Sequence, residues 1–524
     1  MIKVILDLQD ENTMQNYNFI SESQNLHSET TQEHAITWKE KITSCRWLVG
    51  VVVCIQMSCS MTLRMNMSMV VVCMNPPNMT VTLVLNGTNI TKRDEYLDNY
   101  VEWDSNTEGL LIAGYYIGLF ITSMAFGALT DKVNVKAMMI GLTLVMVVTS
   151  LLTPVLTFVS PYLVLATRII LGISAGGLEP GATQILSNWA PLPERAQMMV
   201  LIETANSIGA ILNFLLSGLI CSIPVLGGWP FIYYIFGGVN LLAIVQWTLV
   251  IYDKPSMHPR ITRKELDFIE NHKEKKNLTL PIPWLKMMTS PAFWGCVLGF
   301  ITSGVIFMIM AICLPLYIEQ VLKFDATVNG AVSALVFVGR LAGAVVFGHL
   351  ADFVYSKGRL SICQLRKLFQ VTGLLGSVPI VIWIGFLRQN DRLLAVVLMI
   401  LYWFIVSAMN SGFRVNPADI APRFAGLING ISITLTAVLS AIAPLIVAAI
   451  TPNGTAEEWQ LVFYGVVGVS VIGSVVFVIL VSGDEQEWAK DPTMVSDIAI
   501  TVSDNDMKNG LYSESTPLLH DSKS

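Results

Sequence analysis

Four stretches of otherwise apolar sequence carry ionisable side chains, where a bilayer offers no water and each charge costs about 2.5–3.5 kcal/mol. Gln56, Ser60, Arg64 and Ser68 recur at every fourth residue, which stacks them on one face of a helix. Arg64 at the centre of that stripe suits a carboxylate or phosphate, because its planar fork donates two parallel hydrogen bonds and keeps its proton. Arg168, Gly172, Gly176 and Glu179 share a second face, spread over almost three turns or about 16 Å. Glycines there let a neighbouring helix approach closely. Glu179, beside Pro180, lies where loosened backbone hydrates a carboxylate, which makes it a proton-carrier candidate; a structural pair between Arg168 and an acid is the competing reading. Glu203, Asn206, Ala210, Asn213 and Ser217 form a third stripe, with Glu203 either a second proton carrier or a structural partner of Arg64 or Arg168. Arg340 and Tyr115 complete the substrate-binding candidates. Arg414 and Arg423 stand near a helix end and are expected to snorkel. The six histidines fall in tails, loops or helix ends, leaving glutamate as the titrating group.

These side chains need helices in lipid to position them. Of 524 residues, 53% are hydrophobic and 13% charged, about half the charge of a soluble domain. The apolar residues fall in twelve runs, at about 47–73, 108–130, 136–158, 162–186, 198–222, 229–251, 291–317, 327–350, 368–387, 393–413, 427–450 and 459–482, each suited to a core of roughly 30 Å. The expected fold class is an all-α membrane protein with twelve transmembrane helices in two six-helix halves. The domains read as a disordered cytosolic tail at 1–45, a half at 46–251, a cytosolic linker at 252–290, a half at 291–483 and a second disordered cytosolic tail at 484–524. The first run carries Arg64 too centrally for a cleaved signal. A net charge of -6 argues against nucleic acid. The eight cysteines include no CxxC pair, and single buried thiols are favoured over disulfides.

Orientation follows from the basic residues. With the amino terminus inside, Lys132, Lys136, Arg263, Lys264, Lys357, Arg359 and most other loop Lys and Arg are cytosolic, and so are both termini. Glycosylation sequons then fall outside, at Asn78, Asn86 and Asn89 in the first outer loop and Asn453 in the last; those at Asn66 and Asn277 should stay bare. The phrase from Gly127 to Asp131 recurs from Gly348 to Asp352, at the inner ends of the second and eighth helices, as a duplicated carrier predicts. Each copy is expected to make a tight gating turn permitted by glycine. It resembles the inter-helix loop of the major facilitator superfamily.

Enzyme signatures are absent in any credible context, including a P-loop, so ATP does not drive a cycle. The strings 187–195 (SNWAPLPER), 228–237 (GWPFIYYIFG), 416–426 (NPADIAPRFAG) and 458–464 (EWQLVFY) resemble the organic anion transporters that include sialin, the vesicular glutamate transporters and the type I sodium-phosphate carriers, over about residues 45–489. The resemblance implies that Arg64 and Arg168 match family arginines implicated in anion recognition. It also exposes departures: Ala175 stands where sialin-like members place a proton-coupling glutamate, Ser303 and Met308 replace family residues of the seventh helix, and Pro417 replaces a histidine of the glutamate carriers.

The expected function is a secondary active transporter of an organic anion of sialic acid or acidic amino acid type, working by alternating access. No cofactor is expected, and the coupling ion is H+ ahead of Na+. The alternatives are a plasma-membrane sodium-coupled phosphate or urate-type carrier, and a non-transporting membrane sensor or partner subunit. Glu514, Leu518 and Leu519 fit an acidic dileucine peptide for a sorting adaptor, which points to a lysosomal or endosomal membrane first and the plasma membrane second. Other partners are the small anion and membrane lipid.

Overall fold

The structure is a computed structural model that describes residues 44–74, 82–85, 88–91, 103–130, 132–223, 225–272 and 282–490. Among these, 12 helical spans are long and apolar enough to cross a membrane, close to the positions of the apolar runs. The first six are α1 (Cys45–Met74), α2 (Ser105–Leu129), α3 (Val135–Thr157), the broken pair α4 (Pro161–Ala175) and α5 (Leu178–Trp189), α6 (Leu192–Cys221) and α7 (Trp229–Val250). Two short helices follow, α8 (Arg263–Asn271) and α9 (Trp284–Met288). The second six are α10 (Pro291–Phe307) continued by α11 (Leu314–Gln320), α12 (Ala326–Ser356), α13 (Ile362–Phe386), α14 (Arg392–Val406) with the short α15 (Asn416–Ile420), α16 (Ala425–Ile450) and α17 (Ala456–Leu480). The end of the bundle at which α1 finishes is called outer here, after the expected orientation.

Three spans are interrupted where the sequence predicts unbroken helices, and each break has a local cause. Gly176 and Gly177 divide α4 from α5, glycine being a poor helix former. Between α10 and α11 a π-turn spans Met308–Ile312, ahead of Pro315, which has no N–H to donate and crowds the carbonyl four residues back. Beyond α14 the chain leaves α-helical geometry over 407–415, with Gly412 inside that stretch and Pro417 just after it. Irregular backbone at membrane depth is tolerated where it lines a cavity or lies within protein.

Other expectations are corrected. Gly127 lies within α2 and Gly348 within α12, and neither has a positive φ. No tight turn forms at either glycine; α12 simply runs on to Ser356, carrying an exposed Asp352. The left-handed turn residue is Gly358, at φ 65°. Asp131 lies outside the described residues. Nor are the cysteines all single thiols: Cys73 and Cys221 form a disulfide with Cα atoms 5.8 Å apart. It ties the outer ends of α1 and α6, and a sequence separation of 148 residues conceals the pairing. A small antiparallel hairpin pairs β1 (Thr82–Leu85) with β2 (Thr88–Thr91), putting Asn89 opposite Val84. Asn78 and Asn86 lie outside the described residues, as do Asn277 and the tail residues Glu514, Leu518 and Leu519. Asn453 is exposed and donates through Nδ2 to Glu458 at 2.8 Å, whereas Asn66 is fully buried in α1.

Helices of the first six meet those of the second six along α2 with α16 and α6 with α12. At the outer end these contacts are backbone-close. A methyl placed on Gly109 of α2 would sit 2.9 Å from Ala448 Cβ and 3.0 Å from the Pro444 carbonyl of α16. One on Gly218 of α6 would sit 2.9 Å from Gly330 Cα of α12. Phe214 stacks on Phe337 just below, with centroids 5.5 Å apart. At the inner end the same helices have separated: a methyl on Gly127, Gly348, Gly426 or Gly430 would meet nothing within 4 Å. The bundle is therefore sealed outside and open inside.

On the inner side the linker grips the first helix. Glu265 of α8 accepts from the Arg46 and Cys45 backbone N–H groups at 3.0 and 3.2 Å, satisfying two free donors at a helix N-terminus where a negative charge is favoured. Arg46 also bonds Glu194 at 2.7 and 3.1 Å.

Candidate functional site

The crossing of α2 and α4 builds the centre of the site. Gly118 on α2 lies against the Ile169–Ile173 backbone of α4 and Gly172 on α4 against the Tyr115 carbonyl, with no room for a side chain between the backbones, while Gly114 abuts Leu165 and Arg168, so Tyr115 and Arg168 are held against each other. Arg64 of α1 completes the group. Its Nε donates to the Tyr115 hydroxyl at 2.8 Å. Arg168 Nη2 donates to the Arg64 carbonyl at 3.2 Å and Nη1 to Asn66 Oδ1 at 3.4 Å. Both guanidinium carbons lie over the Tyr115 ring, 5.9 and 6.0 Å from its centroid.

What the two arginines lack is as informative as what they hold. Arg168 is only 3% exposed and its Nε has no partner. Among the described residues neither Arg64 nor Arg168 has a carboxylate within 4.0 Å. The competing Arg168–acid pair and the alternative pairing of Glu203 with Arg64 or Arg168 do not form among the described residues. Two adjacent positive charges, Arg168 buried and Arg64 half-buried, with no carboxylate in contact, have the donors that suit an anion. The rest of the α1 stripe turns inward: Ser60 and Ser68 bond carbonyls of their own helix, and Gln56 donates to Thr143 at 3.1 Å.

A second group of charges lies on the inner side of the first. Arg414, carried by the irregular stretch after α14, reaches across to the first six helices, where Nη2 meets Glu203 Oε1 of α6 and stands 3.3 Å from Glu179 Oε1 of α5. Arg340 of α12 lies 3.7 Å from the other Glu203 oxygen, donates to Ser207 at 3.3 Å and sits over the Phe307 ring. Two cations thus meet two anions. Glu179 occupies the first turn of α5, where free N–H groups favour its charge. Arg414 does not snorkel, and Arg340 contacts an acid of the opposite six helices. These side chains are 16–34% exposed, so the inner opening reaches them.

Sequence reasoning singled out all six charged residues of these two groups but expected Arg414 to snorkel, the signal for its actual place being the flanking Gly412 and Pro417. It also missed Arg366, which holds Asp419 at 2.7 and 3.2 Å and the Ser411 carbonyl at 2.9 Å, fixing the backbone that carries Arg414. The departures from the family pattern are quiet positions: Ala175 and Met308 are buried, and Ser303 bonds the Gly299 carbonyl at 2.8 Å.

Comparison with known proteins agrees with this architecture. The sequence profile described as Major Facilitator Superfamily matches residues 53–444. The chain is 30% identical over 469 residues to the uncharacterized transporter slc-17.2 of Caenorhabditis elegans, covering 87% of this chain and 95% of that one. It is 27% identical over 390 residues to sialin of Homo sapiens, covering 74% and 78%. Among solved structures, a bacterial homolog of the human lysosomal transporter Spinster, inward-facing and unoccupied, superposes with a TM-score of 0.60 at 13% identity, covering 84% and 97%.

Proposed function

This chain belongs to the major facilitator superfamily, in the organic anion transporter family of sialin, the vesicular glutamate transporters and the type I sodium-phosphate carriers, and from that premise we propose how it works. It is a secondary active carrier of a small organic anion of sialic acid or acidic amino acid type. The observation that carries this reading is the Arg64–Tyr115–Arg168 group, two guanidiniums without a carboxylate. An anion entering there gains charge-assisted hydrogen bonds that the free protein leaves unmade.

The two sets of six helices, 46–251 and 291–483, rock about that centre, and the ionic cluster of Glu179, Arg414, Glu203 and Arg340 spans them across the inner route. Coupling runs through the same cluster: protonation of Glu179 or Glu203 weakens its hold on Arg414 and frees the halves to move. H+ is the coupling ion. The disulfide at the outer ends of α1 and α6 supports an outer face in an oxidising compartment, with both termini cytosolic and Asn89 and Asn453 on the glycosylated side. The acidic dileucine at Glu514, Leu518 and Leu519 supports a sorting adaptor as partner and a lysosomal or endosomal membrane as the location.

The test is uptake of labelled sialic acid, glutamate, aspartate, urate and phosphate into liposomes holding the purified protein, under imposed proton or sodium gradients. Proton-driven uptake of one organic anion, lost in Arg64→Ala, is the expected result. Uptake that survives Arg64→Ala, or that only sodium drives, contradicts the reading.

A further inference from the structure

The two helices of the linker turn opposite kinds of face outward. On α8 the exposed side chains are polar, among them Arg263, Lys264, Asp267 and Glu270, while Ile269 is buried. Glu265 holds that helix to the first six through Arg46. On α9 and the residues just before it the exposed side chains are apolar: Ile282, Trp284, Leu285 and Met288, with Leu285 80% exposed. Lys286, also exposed, is the one charge in residues 282–289.

This face is rigidly mounted. Met287 is fully buried, in one apolar cluster with Phe293 and Cys296 of α10, Ile420 of α15 and Ile428 of α16. Trp294, in the first turn of α10, donates its indole N–H to the Met288 carbonyl at 2.8 Å. The mount also stands at the inner edge of the membrane, since the apolar span begins at Pro291, three residues after α9 ends. Trp294 is itself exposed and heads a row with the half-buried Leu298, Ile301 and Val305, at spacings of four, three and four that put them on one helix face. The residues of α10 that look into the bundle lie on another side, Ser303 against Met409 and Phe307 under Arg340. The Trp294 row is therefore the lipid side of α10, and the apolar face of α9 continues it past the start of the span.

We propose that α9 is an interfacial anchor whose Ile282, Trp284, Leu285 and Met288 enter the inner leaflet at headgroup level, with Lys286 on an anionic headgroup. Amphipathic segments settle at this depth with their apolar side chains among the upper acyl chains, and tryptophan favours the same zone. The long stem of a lysine lets its ammonium rise to a phosphate. Further positive charge stands just upstream in the sequence, at Lys273, Lys275 and Lys276, which suits the negative surface of a cytosolic leaflet. A protein partner would account for neither these lysines nor the continuity with the lipid side of α10. The linker thus meets water along α8 and lipid along α9. The inference needs only that the bundle spans a membrane, so its failure is distinct from a failure to transport.

The test places a nitroxide side chain, by a cysteine-independent chemistry, at Leu285 or at Lys264 of the full chain in liposomes of phosphatidylcholine with or without phosphatidylserine. Collisions with oxygen, which concentrates in lipid, are compared with collisions with a water-soluble nickel chelate. Leu285 should meet mainly oxygen and Lys264 mainly nickel, and phosphatidylserine should lower the nickel collisions at Leu285 further. Lys286→Glu, a change at an exposed position that the fold tolerates, should weaken that further drop. Nickel collisions at Leu285 as frequent as at Lys264 would overturn the anchor, and so would a label shielded from both reagents, which marks a protein partner or a second copy on this face. A full phosphatidylserine response in Lys286→Glu would overturn the headgroup contact.

Discussion

Two arginine pairs sit in the same bundle and have opposite fates. Arg64 and Arg168 share a tyrosine and hold no carboxylate, whereas Arg340 and Arg414 meet Glu203 and Glu179 across the gap between the halves. Burying a guanidinium with no carboxylate in contact is costly, so a protein that keeps Arg168 buried beside a half-buried Arg64 spends folding stability on something that arrives later. A matched cluster has a different use. Its charges are satisfied in one arrangement of the halves and must be re-satisfied in another, which makes it a switch. The first pair is read as a receptor and the second as a latch.

The largest effect should come from breaking the receptor. Arg64→Ala removes charge-assisted bonds of about 1.5–3 kcal/mol, roughly 10- to 100-fold in anion affinity, measured by labelled-anion binding to purified protein. Arg64→Lys should lose most of this too, since the fork and not only the charge is used. Undiminished binding in both would show that the anion sits elsewhere.

Next comes the latch. Arg414→Ala leaves Glu203 and Glu179 short of a cation; the cluster is partly hydrated, so the expected loss is about 1–2 kcal/mol of stability, below that of a dry pair, read as a lower thermal midpoint. Driven uptake should fall while anion affinity stays close to the parent's. Exchanging the charges, Glu203→Arg with Arg414→Glu, should recover uptake relative to either single change. A large affinity loss in Arg414→Ala would merge latch and receptor and end the comparison.

Tyr115→Phe sharpens it from the receptor side. Only the hydrogen bond to Arg64 is lost and the ring stays under both guanidiniums, so affinity should drop by the worth of one bond, about 0.5–1.5 kcal/mol. The smallest effects belong to the inner glycines: Gly127→Ala and Gly348→Ala meet open space in helical backbone and should change stability by less than about 1 kcal/mol. At the sealed end Gly218→Ala collides with α12 and should lower the thermal midpoint clearly. Equal effects at the two ends would remove the asymmetry between sealed and open faces.

Much of the fold was legible because lipid imposes a simple rule on sequence. A run such as 136–158 has one solvent to satisfy and one length to fill, and α3 appears at Val135–Thr157. The errors lie where local sequence and tertiary packing disagree. Gly127 and Gly348 look like turn residues and are helical, because the helix around each has no competing partner and simply continues. Gly176 and Gly177 look like packing glycines of one helix, yet the chain breaks there. Of the site, the charged residues in the apolar runs were visible by their cost alone. Their partners were not, as Arg168 with Glu179 shows: one face in sequence, two separate groups in space.

The sequence by itself determined the class of the molecule, its twelve apolar spans and the short set of charges that lipid would not tolerate without a use. Those follow from hydrophobicity and periodicity, which are properties of neighbouring residues. Only the tertiary structure decided that Arg64 and Arg168 stay out of contact with any described carboxylate, that Arg414 crosses to Glu203 and that Cys73 finds Cys221. Each is a contact between segments distant along the chain. Such contacts depend on how helices pack and where they break, and no local pattern of residues encodes them.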